Sequence, residues 1–233
     1  MIIIPKKSLG QNFLVDKNII EKIVNVIEIE NKSILEVGPG TGNLTSAIVN
    51  KKPKKIFLIE KDHRLISLLK KEFKQTVNII QSDVLKLDEN RVCEDKLIVF
   101  GNLPYNISTE ILCRWVLNLS NKNLWFSNLI LMFQKEVADR ILSDYNTSNY
   151  GRLSVVANWR LNVKKLFDIS PNSFYPKPKV DSSLLFFSPK KNFLKFKNPD
   201  NLEKITRIFF RHRRKMIKKS FRQIFSEYLK ISN

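Results

Sequence analysis

The chain has 233 residues, enough for one domain or for one domain with a smaller appendage, and its 43% hydrophobic content suffices for a globular core. Its formal net charge of +19 is unevenly spread, since the residues from Ser170 onward include 16 Lys and Arg and 4 Asp and Glu. With two cysteines, two histidines and no apolar run near the roughly 20 residues that span a bilayer, the composition excludes a disulfide framework, a Cys/His zinc site and a membrane-spanning segment.

The basic C-terminal third points to a polyanionic partner, with nucleic acid as the first candidate. A lysine-rich bias of the whole sequence explains part of the charge, but it does not explain seven Arg and Lys residues within twelve positions, from Arg211 to Arg222. The isolated Cys93 and Cys113 are typical of a reducing cytosol, and the apolar opening at residues 1–5 is too short for a signal sequence. We therefore expect a soluble, cytoplasmic, monomeric protein that needs no metal.

The N-terminal segment, residues 6–16, is polar and carries three apolar anchors, which are Leu9, Phe13 and Leu14. Asp16 is predicted to cap a helix in which isoleucine and valine recur at helical spacing over residues 19–27. Spacing alone favours a solvated turn for Gln11 and Asn12.

The first strong pattern is a buried strand that runs into a glycine-lined turn. Residues 34–37 are apolar around one carboxylate, and Gly38, Gly40 and Gly42 then occupy every second position before a helix at residues 43–51. Glycines in such a turn tolerate a positive φ and let the backbone approach a ligand closely. Alone, such a pattern more often marks an ordinary strand-to-helix turn than a ligand site.

Two carboxylates near the glycine turn indicate which kind of ligand it binds. A second apolar strand, residues 55–59, ends in Glu60, which lies 22 residues after Gly38, about where an acid meets ribose hydroxyls in nucleotide-binding folds. The third glycine comes one residue too early for the dinucleotide pattern, and Glu36 stands two residues before Gly38. A carboxylate there would repel a pyrophosphate but attract a sulfonium or ammonium group. The pattern therefore favours S-adenosylmethionine over NAD as the cofactor.

Further along, His63 opens a charged helix and is expected on the surface. A third strand at residues 77–80 is followed by Asp83, which would lie on the ligand edge of an open sheet or, equally, cap a helix. A fourth strand at residues 97–100 is a continuous apolar run, as expected for a parallel sheet that is covered on both faces.

The segment after that fourth strand is the most diagnostic in the chain. It presents Asn102, Leu103, Pro104 and Tyr105 together at a strand end. The Asn102 side-chain carbonyl and the Leu103 backbone carbonyl can accept hydrogen bonds from an exocyclic amine, and Tyr105 can stack on a base. Pro104 fixes the turn that aims them.

The remaining apolar patterns complete an α/β fold with a Rossmann-like, seven-stranded, mostly parallel sheet. They predict a helix from Ser108, a strand at 129–133, a helix that includes Val137, a helical stretch at 151–160, and strands at 163–169 and 184–187. We expect an S-adenosylmethionine-binding domain over residues 1–189, in which residues 174–182 form a basic aromatic loop. Residues 190–200 are predicted to form a linker at the start of a small helical domain, residues 190–233.

The C-terminal tail, residues 202–229, is predicted to be amphipathic, with an apolar stripe for packing and a charged face for function. The candidate RNA-binding residues on that face are Arg211, Arg213, Arg214, Lys215, Lys218 and Lys219.

Five motifs in the same order resemble those of the ribosomal RNA adenine N6,N6-dimethyltransferases, and within them the bacterial small-subunit (KsgA/RsmA) branch. The motifs are Leu9–Leu14 (LGQNFL), Leu35–Gly42 (LEVGPGTG), the acid Glu60, Asn102–Thr109 (NLPYNIST) and Phe174–Ser182 (FYPKPKVDS). The basic run at residues 209–215 matches the family's basic C-terminal helix. Two departures are Glu110, where the family usually has proline, and a shortened C-terminal domain.

The resemblance implies roles for individual residues. It implies that S-adenosylmethionine contacts Asn12, Leu14, Gly38, Glu60, Asp83 and Asn102. The glycine turn adds Gly40, and Glu36 would orient the turn or meet the charged methionine end. Tyr105 and Phe174 would sandwich a target adenine that is swung out of its RNA stack, while Asn102 and Leu103 hold its amine.

The expected function is dimethylation of N6 in two adjacent adenosines of a hairpin loop near the 3′ end of small-subunit (16S) rRNA during ribosome biogenesis. One alternative is an enzyme of the antibiotic-resistance type that acts on large-subunit rRNA, although Leu103 and the Asp181–Ser182 pair favour the small-subunit branch. Another is a non-catalytic RNA-binding assembly factor, against which the intact Asn102–Tyr105 segment argues.

Overall fold

The computed structural model describes residues 4–6, 9–119, 124–211 and 217–231, with the backbone alone for Lys219, Gln223 and residues 227–231. Its strands are β1 (Phe13–Leu14), β2 (Ser33–Val37), β3 (Lys55–Glu60), β4 (Asn78–Gln81), β5 (Leu97–Gly101), β6 (Phe126–Gln134), β7 (Leu161–Ile169), β8 (Phe174–Tyr175) and β9 (Ser182–Pro189). Its helices are α1 (Lys17–Val24), α2 (Asn43–Asn50), α3 (His63–Phe73), α4 (Ser108–Asn118), α5 (Lys135–Leu142), α6 (Arg152–Arg160), α7 (Asp200–Arg211) and α8 (Ile217–Ile231).

Seven strands form one sheet in the order β4-β3-β2-β5-β6-β9-β7. Neighbouring strands from β4 to β6 are parallel, whereas β9 runs antiparallel to both β6 and β7. This confirms the predicted Rossmann-like, mostly parallel sheet. The carboxyl ends of β2, β3, β4 and β5 meet at one edge, where an open sheet of this kind binds its ligand.

Helices cover both faces of the sheet, which explains why its central strands are apolar without alternation. Leu35 and Val99 pack in the cluster that contains Trp115 of α4. Ile34 and Ile98, which point the other way, pack in the cluster formed with α1, α2 and α3. Both clusters are fully buried at the sheet, so the strand ends are held on a rigid base.

The N-terminal helix and a second, two-stranded sheet differ from expectation in detail. Asp16 caps α1 as predicted, by accepting bonds from the Asn18 and Ile19 amides at 3.0 and 3.2 Å. The helix ends at Val24, earlier than the predicted apolar face. The unpredicted strands β1 and β8 pair antiparallel, with Phe13 opposite Tyr175 and Leu14 opposite Phe174. Two-residue strands have no periodicity that a sequence could reveal.

The predicted tail is divided into two helices, α7 and α8. Helix α7 is attached to the main body by an ion pair between Arg152 and Glu203 at 2.9 Å and by edge-to-face packing of Tyr150 on Phe210 at 5.9 Å. Residues 190–199 contain neither helix nor strand. Among the described residues, no helix is long and apolar enough to cross a membrane.

Candidate active site

A cleft with about 990 Å³ of empty space lies over the carboxyl ends of β2 to β5. Its walls come from residues 9–13, the glycine turn, the end of β3, and residues 82–85 and 102–107. Eight of the predicted site residues line it, namely Asn12, Gly38, Gly40, Glu60, Asp83, Asn102, Leu103 and Tyr105. The sheet topology therefore brings together residues that the sequence separates widely.

The glycine turn allows two neighbouring segments to approach its backbone. Gly40 has a φ of +59°, and a Cβ there would lie 2.8 Å from a ring carbon of Phe13. Gly38 has a φ of +71°, and its Cβ would lie 3.1 Å from the Asn102 carbonyl oxygen. A side chain at either position would be strained by the backbone and would displace part of the cleft wall.

Glu60 presents a fixed carboxylate at the end of β3. Its Oε1 accepts bonds from the Lys61 and Asp62 amides, each at 2.8 Å, and the Gly40 amide also donates to the carboxylate. Burial raises the pKa of Glu60, and these backbone hydrogen bonds oppose the rise. A carboxylate has about four acceptor sites, so with three amides donating, about one site remains for a hydroxyl group.

Asp83 combines both roles that the sequence left open. It lines the cleft and also caps a short 3-10 helix, Val84–Lys86, by accepting a bond from the Leu85 amide at 3.0 Å. Lys61 pairs with its other oxygen at 2.8 Å and lowers the pKa of the carboxyl. Asp83 is therefore an ionised acceptor at the cleft.

Asn102 is held in one orientation by the N-terminal segment. Its Nδ2 donates to the Asn12 backbone carbonyl at 2.7 Å, which leaves the side-chain oxygen as the acceptor of this amide. Leu103 is buried beside it. Tyr105 is fixed by a 2.6 Å bond between its hydroxyl and that of Ser182.

Two predicted cofactor contacts lie under the glycine turn and do not line the main cleft. Glu36 and Leu14 border a smaller cavity there, together with Gly38 and Asn102. Glu36 is 1% exposed and accepts a 2.7 Å bond from the Thr45 hydroxyl of α2, and its burial raises its pKa to about 7. Its contacts tie the turn to α2.

Phe174 is a predicted site residue that borders neither of these two cavities. It is 3% exposed and packs in the core, whereas the adjacent Tyr175 is 62% exposed. Successive residues of a strand point to opposite faces, so β8 can present only one of the two rings outward in this conformation.

The expectation of a solvated turn at Gln11 and Asn12 is wrong. The residues 9–16, here called the N-terminal strap, run along the cleft, and Gln11 donates from Nε2 to Asp62 at 3.2 Å. Asp62 has a fully buried side chain, which also receives bonds from Arg64 Nε and Nη2 at 3.1 and 2.6 Å. Sequence reasoning missed this clasp, because nothing in the spacing connects Asp62 to the strap.

The predicted RNA-binding face is only partly described. Arg211 and Lys218 are exposed on α7 and α8. Arg213, Arg214 and Lys215 lie outside the described residues, and so does the side chain of Lys219. Within the described ranges, no group of three or more His, Cys, Asp and Glu side chains is placed to hold a metal ion.

Comparison with known proteins gives a consistent result. Residues 5–230 match the family model described as ribosomal RNA adenine dimethylase. The chain is 60% identical over 225 residues to Ribosomal RNA small subunit methyltransferase A of Pelagibacter ubique (strain HTCC1062), covering 97% of this chain and 86% of that protein.

Two solved structures are also similar. A dimethyladenosine transferase from Plasmodium falciparum superposes with a TM-score of 0.76 at 32% identity, over 90% of this chain and 74% of that one. The 23S rRNA methyltransferase ErmE superposes with a TM-score of 0.70 at 23% identity, over 91% of this chain and 84% of that one, a likeness that shows the fold alone.

Proposed function

The chain belongs to the ribosomal RNA adenine dimethylase family, and from that premise we propose how its cleft works. It is an S-adenosylmethionine-dependent rRNA adenine dimethyltransferase of the small-subunit type, as its extensive identity to a small-subunit relative indicates. We propose that its targets are two adjacent adenosines in a hairpin loop near the 3′ end of small-subunit rRNA, methylated during ribosome biogenesis. The observation that carries the site assignment is the cleft in which Glu60, Asp83 and Asn102 converge.

The residues of the cleft fit a nucleoside with a cationic tail. Glu60 is placed to accept the ribose hydroxyls, and Asp83 to accept the adenine amine. The left-handed backbone at Gly38 and Gly40 leaves room for close approach to the turn. Glu36, beneath that turn, has a pKa of about 7, and a bound sulfonium or ammonium would favour its ionised form. When bound, S-adenosylmethionine supplies the electrophilic methyl group.

The substrate side of the cleft is built to hold one amine in a defined orientation. With its Nδ2 fixed by Asn12, Asn102 offers Oδ1 to one N6 hydrogen of the flipped adenine, and the Leu103 carbonyl accepts the other. The nitrogen lone pair is thereby aimed at the methyl group, so catalysis relies on positioning. The product nitrogen is positively charged and acidic, and its proton passes to water without a dedicated base.

Base stacking is the second element of substrate binding. Tyr105 lines the cleft with its hydroxyl anchored, so its ring is available as a platform worth roughly 1–3 kcal/mol per stacked base. Phe174 would complete a sandwich only after β8 turns its ring out of the core. We therefore propose Tyr105 as the primary platform and Phe174 as one recruited by the RNA.

We propose that residues 190–233 form a separate RNA-docking domain and that Arg211, Arg213, Arg214, Lys215, Lys218 and Lys219 bind phosphates. Changing Arg213, Arg214 and Lys218 to Gln should weaken subunit binding and reduce its salt slope by about 0.7–0.9 for each phosphate that is no longer neutralised. Cofactor affinity should be unchanged, because the cleft belongs to the other domain. If the salt slope is unchanged, the C-terminal tail is not part of the RNA-docking surface.

We also propose a metal-free monomer that works in the cytoplasm. Incubation with labelled S-adenosylmethionine and purified ribosomal subunits, followed by mapping of the labelled nucleotide, tests the whole assignment. Label in small-subunit adenosines supports it. Label in the large subunit would favour the antibiotic-resistance activity, and binding without label would favour an assembly factor.

A further inference from the structure

A second cleft, with about 810 Å³ of empty space, lies between the end of α6 and the segment that follows β9. We call it the linker cleft. The described residues that line it include four cations, which are Arg160, Lys190, Lys191 and Lys195, and no carboxylate. Phe193 adds an aromatic ring to the same wall. The positive charge of the linker cleft is the feature that requires an explanation.

The backbone of the linker is fixed to the body of the protein by contacts with α6. Trp159 donates from its indole nitrogen to the Leu194 carbonyl at 2.7 Å. The Arg160 guanidinium lies 4.2 Å from the centroid of the Phe193 ring. Lys190 donates from Nζ to the Asn158 carbonyl at 2.6 Å, while Lys191 and Lys195 are exposed.

The linker cleft lies at the opposite edge of the sheet from the catalytic cleft. Strand β9 connects the two, since its first residue, Ser182, bonds to Tyr105 and its last, Pro189, lines the linker cleft. The seven steps between these residues span roughly 23 Å at about 3.3 Å per residue. A partner that touches both clefts must therefore extend well beyond the flipped base.

We propose that the linker cleft binds backbone phosphates of small-subunit rRNA at a place remote from the target hairpin loop. This inference rests on the proposed function. Cations that alternate with aromatic rings suit a sugar–phosphate backbone and its bases. The contact favours a folded subunit, which presents several RNA elements at once, over an isolated hairpin.

The test compares two double variants with the same loss of charge. Lys191→Gln with Lys195→Gln removes the exposed lysines of the linker cleft. Lys70→Gln with Lys71→Gln removes two exposed lysines of α3, a helix that packs beside β3 and β4 and lines neither cleft with these residues. All four positions are at the surface, so both variants should fold. Binding to purified small subunits, and to a short hairpin that contains the target adenosines, is measured across a salt series.

The linker-cleft variant should bind subunits more weakly and lower the salt slope by about 1 per lysine, or about 2 for the pair. Its affinity for the short hairpin and for S-adenosylmethionine should match the unsubstituted protein. An unchanged subunit affinity, an equal loss in the α3 variant, or an equal loss with the hairpin would each overturn the proposal.

Cross-linking identifies the partner directly. A photoreactive label on Lys195→Cys, with half-buried Cys93 changed to Ser, should attach to rRNA outside the target hairpin. Cross-links confined to a ribosomal protein would instead assign the cleft to an acidic protein segment and overturn the proposal. These binding experiments do not depend on methyl transfer, so a failure of the proposed function would be recognised separately by the absence of labelled adenosine.

Discussion

Replacing Gln11 by glutamate should release the N-terminal strap while the sheet stays folded. In the structure Gln11 donates from Nε2 to Asp62 at 3.2 Å and accepts a bond from the Lys6 amide at 2.7 Å. Glutamate keeps the acceptor for Lys6 but turns the donor into a negatively charged oxygen facing a buried carboxylate. Arg64 holds the pKa of Asp62 well below its usual range, so that carboxylate is ionised at neutral pH.

The magnitude follows from the hydrogen bond that the substitution removes. A hydrogen bond to a charged group contributes on the order of 1.5–3 kcal/mol, which corresponds to a change of about 10- to 150-fold in an equilibrium constant. The strap lines the cleft that we propose binds the cofactor, and its Asn12 carbonyl orients Asn102. Gln11→Glu should therefore lower S-adenosylmethionine affinity within that range and slow methyl transfer at saturating cofactor as well.

Calorimetric titration and single-turnover methylation measure the two effects, and thermal unfolding confirms that the core persists. Gln75→Glu places the same charge on an exposed loop and serves as the matched control. Gln11→Ala removes both the donor to Asp62 and the acceptor for Lys6 without adding charge, so it separates the loss of hydrogen bonds from charge repulsion. If Gln11→Glu binds and transfers like the unsubstituted protein, or if Gln75→Glu is equally impaired, the clasp does not position Asn102.

The same clasp should resist moderate acid. The pKa of Asp62 is lower in the folded protein than in the unfolded chain, so its stabilisation is present above the unfolded pKa, about 4, and is lost only as the pH falls below it. Hydrogen exchange of residues 9–16 should therefore show no release of the strap between pH 8 and pH 5.

Three further substitutions test the remaining parts of the site. Glu60→Ala should weaken S-adenosylmethionine binding by on the order of 1.5–3 kcal/mol in a folded protein, and calorimetry showing the original affinity would exclude it as the ribose acceptor. Asn102→Ala should slow single-turnover transfer at least about tenfold, a barrier increase of about 1.4 kcal/mol, with RNA binding largely retained. Burial raises the pKa of Glu36 from 4.5 to about 7, so the folded state loses stability as the pH rises through that range. Glu36→Gln should remove up to roughly 3 kcal/mol of this pH dependence, which denaturant unfolding at pH 5 and pH 8 would measure.

The sequence predicted the sheet and its ligand edge because both depend on local patterns. Continuous apolar runs identify β2, β3 and β5, and the parallel topology then places Gly38, Glu60 and Asn102 at one edge. Polar residues that directly follow such strands need no further information to be placed near one another. This explains why seven of the eight predicted residues that line the cleft meet there, whereas Asn12 comes from the N-terminal strap.

The parts that the sequence did not reveal depend on contacts between distant segments. The clasp joins Gln11 to Asp62, 51 positions apart, through polar side chains of a kind that is usual on a protein surface. Pairing of β1 with β8 decides that Phe174 is buried and Tyr175 exposed. Two adjacent aromatic residues give no local signal of which one faces inward, so the motif that implies stacking cannot specify the ring that is accessible.

In the proposed binding mode, the distribution of charge keeps RNA phosphates out of the catalytic cleft, although the chain has a net charge of +19. The charged residues that line the catalytic cleft are Glu60, Asp83 and Lys61, so the described lining carries more negative than positive charge. A phosphate entering it would be repelled, whereas a neutral base or a cationic cofactor would not. The linker cleft, with four cations, has the opposite preference. Electrostatics thus favours an arrangement in which the RNA backbone is held outside and only the target base enters.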